Sequence, residues 1–113
     1  MADWTYDSNK QGLATVLFDY EIEALHILWS RNGEYLTSRE VWQQVSGKLT
    51  ISRASIINSL NRMARSGVLD YKETTGKGGH RGLYTATRSE VELRRMISEE
   101  LTQSIKKNLL GSI

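Results

Sequence analysis

Residues 52–87 read SRASIINSLNRMARSGVLDYKETTGKGGHRGLYTAT, and this stretch decides the fold. Ser52 is one of the residue types that cap helices, and the apolar residues after it recur at helical spacing as far as Gly67, a helix stop. Residues 68–74 and 83–87 have the composition of strands, and the four glycines between them favour a turn. This order predicts a helix followed at once by a β-hairpin with a basic turn.

The predicted helix has two faces of different chemistry when its residues are placed on a wheel at about 100° per residue. One face is apolar and is formed by Ile56, Ile57, Leu60, Met63 and Ala64. The other is polar and is formed by Ser55, Asn58, Ser59, Asn61, Arg62, Arg65 and Ser66. Because a solvated surface usually mixes both signs of charge, a face without any carboxylate favours contact with phosphates and base edges.

Charge along the chain is uneven, although the whole chain carries a formal net charge of only +2. Residues 48–88 contain eight basic and two acidic residues, a net charge of +6, so the remainder carries −4. Such a basic segment is typical of proteins that bind a polyanion. The alternative interpretation is an unevenly charged solvated surface, and charge alone does not decide between the two.

Two shorter helices are predicted before this stretch. The first is capped by Asp19 and ends at Gly33, and its apolar face is formed by Ile22, Leu25, Leu28 and Trp29. The second opens with a capping box of Thr37 and Glu40, in which each residue's side chain accepts the main-chain N–H of the other. The sequence therefore predicts two helices before residues 52–87.

The N-terminal part of the chain is less regular. Residues 1–12 are polar apart from Trp4 and Tyr6, and we expect a loosely ordered segment whose aromatic rings dock on the body or on a partner. Residues 13–18 form a short apolar run that fits either a helix start or a buried strand. The predicted organisation is this N-terminal segment of residues 1–12, a domain of residues 13–88 and a C-terminal helix of residues 89–113.

The C-terminal helix opens with a second capping box, formed by Ser89 and Glu92. An apolar ridge repeats every four residues along it, through Leu93, Ile97, Leu101, Ile105 and Leu109. We favour dimerisation through this ridge, because the domain is too small to cover its whole length. The alternative is that the helix folds back on its own domain.

Several function classes are not indicated. The chain has no cysteine, and it has no P-loop, dinucleotide fingerprint, HExxH or GxSxG pattern. Its two histidines, His26 and His80, are far apart, and Glu21 and Glu23 fit a solvated first turn. We therefore expect no enzyme activity, no cofactor and no metal site. Without a membrane span or a signal peptide, the expected location is the cytoplasm.

The order of elements resembles a winged helix-turn-helix, a mainly α fold with a small β-hairpin (α+β). The chain is most similar to the penicillinase-repressor family, and MarR-like and PadR-like regulators are less close. The resemblance covers about residues 19–110 and is carried by EIEALHILWSRNGEYLTSREVWQQV, ISRASIINSLNRMARSGVLDYKE and GLYTATRS. Ser55 and Ser66 stand where the family has Thr and Lys, and the wing is longer and richer in glycine. No protease-cleavable C-terminal region is evident, so a role in antibiotic resistance is not indicated.

The resemblance and the polar face together predict a homodimeric repressor that places its third helix in the major groove of double-stranded DNA. The expected contacts to base edges and nearby phosphates are Ser55, Asn58, Ser59 and Arg62. The expected phosphate contacts are Arg53 and Arg65, together with Lys77, His80 and Arg81 on the wing. An alternative is a winged-helix module that binds proteins, with an exposed apolar patch around Trp4, Tyr6 or Trp42. A third alternative is a ligand-responsive regulator with a pocket between the dimer helix and the core.

Overall fold

The computed structural model describes residues 4–76 and 79–111, apart from the side chain of residue 80. Its helices are α1 (Asp19–Trp29), α2 (Ser38–Val45), α3 (Arg53–Arg65) and α4 (Glu90–Leu110), and its strands are β1 (Leu36–Thr37), β2 (Leu69–Gly76) and β3 (Gly79–Ala86). A 3-10 turn at Gly12–Thr15 precedes α1. The predicted mainly α fold with a small hairpin (α+β) is confirmed. None of the described helices is long and apolar enough to cross a bilayer.

The hairpin of β2 and β3 extends further toward its tip than the sequence predicted. The three strands form one antiparallel sheet in the order β1-β3-β2, with Leu36 opposite Tyr84. The register of β2 and β3 runs from Leu69 opposite Ala86 to Gly76 opposite Gly79. Hydrogen bonding therefore continues into the glycine-rich segment that we expected to be only a turn, because an extended backbone is open to glycine.

The predicted helix starts at Ser52 and Thr37 are confirmed. The main-chain N–H of Ser55 donates to Ser52 Oγ at 3.1 Å, and that of Glu40 donates to Thr37 Oγ1 at 3.1 Å. Helix α1 differs from the prediction, because its N-cap is Phe18 rather than Asp19. Phe18 has no side-chain acceptor, so the cap depends on the carboxylate of Glu21, which accepts the main-chain N–H of Phe18 at 2.9 Å.

Gly67 ends α3 as predicted and aims the chain into β2. Its φ of +83° is in the left-handed region that favours glycine. The N–H of Gly67 donates to the carbonyl of Ala64 at 3.2 Å, and the N–H of Val68 donates to that of Met63 at 2.9 Å. These bonds satisfy carbonyls at the end of α3, and they fix where the hairpin leaves the helix.

The hydrophobic core includes part of the ridge that we assigned to dimerisation. Helices α1, α2 and α3 bury Leu25, Val41 and Ile56 against the base of the sheet. Leu93 and Ile97 are in the same core, with 1% and 4% of their surface exposed, so the first turns of α4 fold back on their own domain. These two residues of the ridge are therefore covered by their own domain, and the exposed part of the ridge lies further along α4.

Trp4 in the N-terminal segment docks on the body of the domain, one of the two arrangements that the sequence left open for its aromatic rings. Trp4 packs against the core, and its Nε1 donates to Glu100 Oε2 on α4 at 2.8 Å. The N–H of Asp7 donates to the carbonyl of Thr15 at 2.7 Å. The apolar run of residues 13–18 is neither an α-helix nor a strand, because it forms the 3-10 turn and then leads into the cap of α1.

The capping box of α4 leads to a prediction about pH. The N–H of Ser89 donates to Glu92 Oε1 at 3.0 Å, and this bond, assisted by the Ser89 side chain and by the nearby charge of Arg88, lowers the pKa of Glu92. A carboxyl group whose pKa is lowered by folding stabilises the fold above its unfolded pKa, and the contribution is lost as pH falls through the folded pKa. Glu92→Gln should therefore be less stable than wild type at pH 7 and equally stable in acid.

Denaturant unfolding at several pH values measures this difference. The matched control is Glu99→Gln on the same helix, since Glu99 is exposed and makes no hydrogen bond with the described residues. A stability gap for Glu92→Gln that did not change with pH would contradict the assignment of the cap to the charged carboxylate.

Candidate nucleic-acid interface

The polar face of α3 carries most of the residues that the sequence proposed for DNA contact. Arg53, Asn58, Arg62 and Arg65 are exposed. Ser55 is half-buried, and its hydroxyl accepts a hydrogen bond from that of Ser52. No acidic side chain belongs to this helix. The predicted basic, acid-free helix face is therefore present in the structure.

Ser59 does not lie on the exposed face as expected. Only 6% of its surface is accessible, and it lies beside Phe18 and Tyr20 in a cavity of about 470 Å³ between the start of α1 and α3. A helical wheel places Ser59 among polar residues, but it cannot show that α1 covers this part of the helix. Ser59 is therefore less accessible than Asn58 and Arg65, which line the same cavity and are exposed.

The wall of that cavity contains an aromatic pair that sequence reasoning missed. The rings of Phe18 and Tyr20 stack with centroids 5.6 Å apart and planes 11° from parallel, and 62% of the surface of Phe18 is exposed. Phe18 ends an apolar run, so its sequence position favoured burial. The exposed ring instead lies at the edge of the polar face of α3.

Glu21 and Arg62 form an ion pair between α1 and α3. Glu21 is completely buried, contrary to the solvated first turn that we expected, and Arg62 is half-exposed. Because charged side chains are seldom buried unless paired, the guanidinium of Arg62 is the counter-charge that permits this burial. The part of the guanidinium that contacts Glu21 is not available to DNA, which weighs against a bidentate contact to guanine.

Asn61 and Tyr84 connect α3 to the hairpin. The hydroxyl of Tyr84 donates to Asn61 Oδ1 at 2.5 Å, and burial, with a smaller contribution from Tyr71, raises the pKa of Tyr84. The rings of Tyr71 and Tyr84 also contact each other, with centroids 5.3 Å apart. The wing is therefore anchored to the helix by a partly buried hydrogen bond as well as by the turn between them.

The predicted wing contacts are only partly within the described residues. Lys77 and the side chain of His80 lie outside them, whereas Arg81 is exposed on β3. Lys72 on β2 lies over the ring of Tyr35, with its Nζ 4.0 Å from the ring centroid.

The structure adds Arg39 to the candidate interface, a residue outside the basic segment of the sequence. It shares a cleft with Arg53 and Arg81. Among the described residues, no group of three or more acidic or histidine side chains is placed to hold a metal ion.

A helix-turn-helix whose third helix leads into an anchored hairpin defines the winged-helix class of transcriptional regulators. Residues 17–112 match the model of the penicillinase repressor family, and the chain belongs to that family. No curated protein matches the sequence. The family comprises transcriptional regulators, so regulation of transcription is the function at this level of detail.

Solved structures with the same fold are also regulators. A possible transcriptional regulator from Methanosarcina mazei Go1 is 12% identical and superposes with a TM-score of 0.63 over 85% of this chain and 76% of its own. A PadR family regulator from Clostridium difficile R20291 is 18% identical, with a TM-score of 0.54 over 81% and 98% of the two chains. The PcaV regulator from Streptomyces coelicolor, solved with its natural ligand, is 21% identical, with a TM-score of 0.53 over 86% and 63%. At these identities the likeness shows the fold alone.

Proposed function

We propose that the protein is a homodimeric repressor that binds specific sites in double-stranded DNA. The observation that carries this proposal is the face of α3, which exposes Arg53, Asn58 and Arg65 and contains no carboxylate. The match to the penicillinase repressor family supports a repressor role, and binding to chromosomal DNA would place the protein in the cytoplasm. The wing, held to α3 through Tyr84, would lie along the DNA backbone or the minor groove.

Asn58 is our first candidate for reading a base. Its side chain is exposed and makes no hydrogen bond with the described residues, so both its donor and its acceptor are available. An asparagine amide matches N6 and N7 of adenine in the major groove. Arg53 and Arg65 would bind phosphates on either side of it.

A second subunit would pack on the exposed part of α4. Beyond the buried Leu93 and Ile97, the ridge continues through the half-buried Leu101 to Ile105, which is 59% exposed. An apolar groove of about 640 Å³ lies beside this part of α4, and it is lined by Trp4, Tyr6, Leu13, Val16, Leu101 and Ile105 among others. The described chain leaves this surface uncovered, which supports a dimer contact there.

A salt titration with random duplex DNA tests the proposal. Binding should weaken as salt rises, because each neutralised phosphate releases condensed counterions and contributes about −0.9 to the slope of log K against log salt concentration. Fluorescence anisotropy at 50–200 mM salt measures this slope. The absence of binding at the lowest salt would contradict the proposal and favour a module that binds proteins.

Asn58→Ala should reduce specificity more than general affinity. We expect a loss of about 1–3 kcal/mol on a site selected from random DNA, since one bidentate base contact is removed. Binding to random duplex should change little, which makes it the internal control. Equal losses on both DNAs would show that Asn58 contacts the backbone instead.

A further inference from the structure

We propose that Arg39, Arg53 and Arg81 bind one phosphate group of the DNA backbone in a cleft between the starts of α2 and α3 and the wing. This inference rests on the proposed function and adds a defined phosphate site to it. The three side chains line one cleft of about 270 Å³, together with Thr37, Ser38 and Gly82. Arg39 comes from the first turn of α2, Arg53 begins α3 and Arg81 lies on β3, so the folded domain brings together three separate parts of the chain.

No acidic side chain of the described residues balances the charges in this cleft. Within residues 4–76 and 79–111, none of these three guanidinium groups forms an ion pair or a hydrogen bond. By contrast, the guanidinium groups of Arg62 and Arg94 are paired with Glu21 and Glu90. Like charges around one cleft repel each other, so an anion that enters it is attracted by all three.

The acidic residue closest in sequence to Arg39 is directed to the helix cap. Glu40 Oε1 accepts the main-chain N–H and the hydroxyl of Thr37, both at 3.0 Å, and Glu40 is not among the residues that line the cleft. The side chain of Ser38 makes no hydrogen bond with the described residues. The described lining of the cleft therefore offers three cations and a hydroxyl, and none of these lining residues is acidic.

Phosphate is the anion that this chemistry favours. Guanidinium groups present planar pairs of N–H donors that match two phosphate oxygens, and such charge-assisted bonds are stronger than neutral ones. The cleft is smaller than the roughly 300–1,000 Å³ typical of pockets for small molecules. Because Arg53 starts the helix that carries Asn58, a phosphodiester in the cleft would adjoin the bases that α3 reads.

The experiment compares alanine variants in binding to random duplex DNA at several salt concentrations. Arg39→Ala should bind about tenfold more weakly at low salt, because it loses a charge-assisted hydrogen bond. The matched control is Arg31→Ala in the turn after α1, which removes the same charge from an exposed residue without a partner in the described chain. Thermal unfolding should be unchanged for both variants, since both side chains are exposed.

The triple variant Arg39→Ala/Arg53→Ala/Arg81→Ala tests whether the three residues share one phosphate. The slope of log K against log salt concentration should fall in magnitude by about 0.9 if the three arginines share one phosphate. It should fall by about 2.7 if each arginine binds a separate phosphate. A fall near 2.7, or equal binding by Arg39→Ala and Arg31→Ala, overturns the inference while leaving DNA binding in place. If wild type does not bind DNA at all, the proposed function itself fails.

Inorganic phosphate distinguishes the two sources of this chemical group. Calorimetric titration of the protein with phosphate should show only weak binding, since a free ion lacks the neighbouring contacts of a DNA strand. Tight binding of phosphate by wild type, lost in Arg39→Ala while DNA affinity is kept, would overturn the assignment to the DNA backbone and indicate a site for a free anion.

Discussion

Replacing Arg62 with alanine is expected to lower the free energy of unfolding by about 2–4 kcal/mol. The variant leaves the carboxylate of Glu21 completely buried without its counter-charge. Removing one partner of a fully buried pair costs about 3–5 kcal/mol. The expected loss is somewhat smaller here, because Arg62 is half-exposed and solvent already screens part of the interaction.

Denaturant unfolding measures the loss, and α3 supplies the control. Arg65→Ala removes the same side chain three residues later, where the guanidinium is exposed and has no partner in the described part of the chain, so its stability should change by less than about 0.5 kcal/mol. The double variant Glu21→Gln/Arg62→Ala should recover part of the loss, because a neutral amide is buried at lower cost than a charge. Equal stabilities for Arg62→Ala and Arg65→Ala would refute a structural role for the pair.

The same two variants distinguish an effect on the stability of the domain from a direct effect on DNA binding. Arg65→Ala should weaken DNA binding without destabilising the domain, as expected for a phosphate contact. Arg62→Ala should weaken DNA binding mainly through its unfolded fraction, so its affinity at low temperature, where the protein stays folded, should approach that of wild type. A large loss of sequence preference in folded Arg62→Ala would instead support the base-edge contact that the sequence predicted for Arg62.

Much of the fold was predictable from interactions between residues that are close in sequence. The caps at Thr37 and Ser52 and the glycine stop at Gly67 each involve partners three to five residues apart, so the sequence shows both halves of each interaction. The hairpin followed from glycine and strand composition, and only its length was underestimated.

Contacts between distant residues could not be predicted in this way. The burial of Glu21 depends on Arg62 from another helix, and the cleft at Arg39 depends on Arg53 and Arg81 from two other elements. Ser59 shows the same limit, because a helical wheel separates faces but does not show which neighbour covers them. The candidate interface was therefore predictable as a helix face, whereas the partners of its arginines required the tertiary structure.

The apolar end of α4 leads to the prediction with the largest expected effect on DNA binding. Ile105 and Leu109 are 59% and 70% exposed, and burying both in a dimer removes apolar surface from water. The double variant Ile105→Asp/Leu109→Asp should therefore be monomeric, because two carboxylates would have to be desolvated at the contact. Its affinity for a two-fold symmetric site should fall by about 10²–10⁴, since the second half-site is no longer linked to the first.

Analytical ultracentrifugation of the free protein measures its mass. Binding to DNA that contains one half-site, compared with DNA that contains two half-sites, measures the effect on affinity. Val91→Asp is the matched control, because Val91 is an exposed apolar residue on the same helix outside the ridge, and this variant should keep the wild-type mass. Leu93→Ala should instead destabilise the domain by about 2–5 kcal/mol, since Leu93 is in the core. A monomeric wild type, or a double variant with wild-type mass and affinity, would exclude this end of α4 as the dimer contact and leave the ridge to its role within the domain.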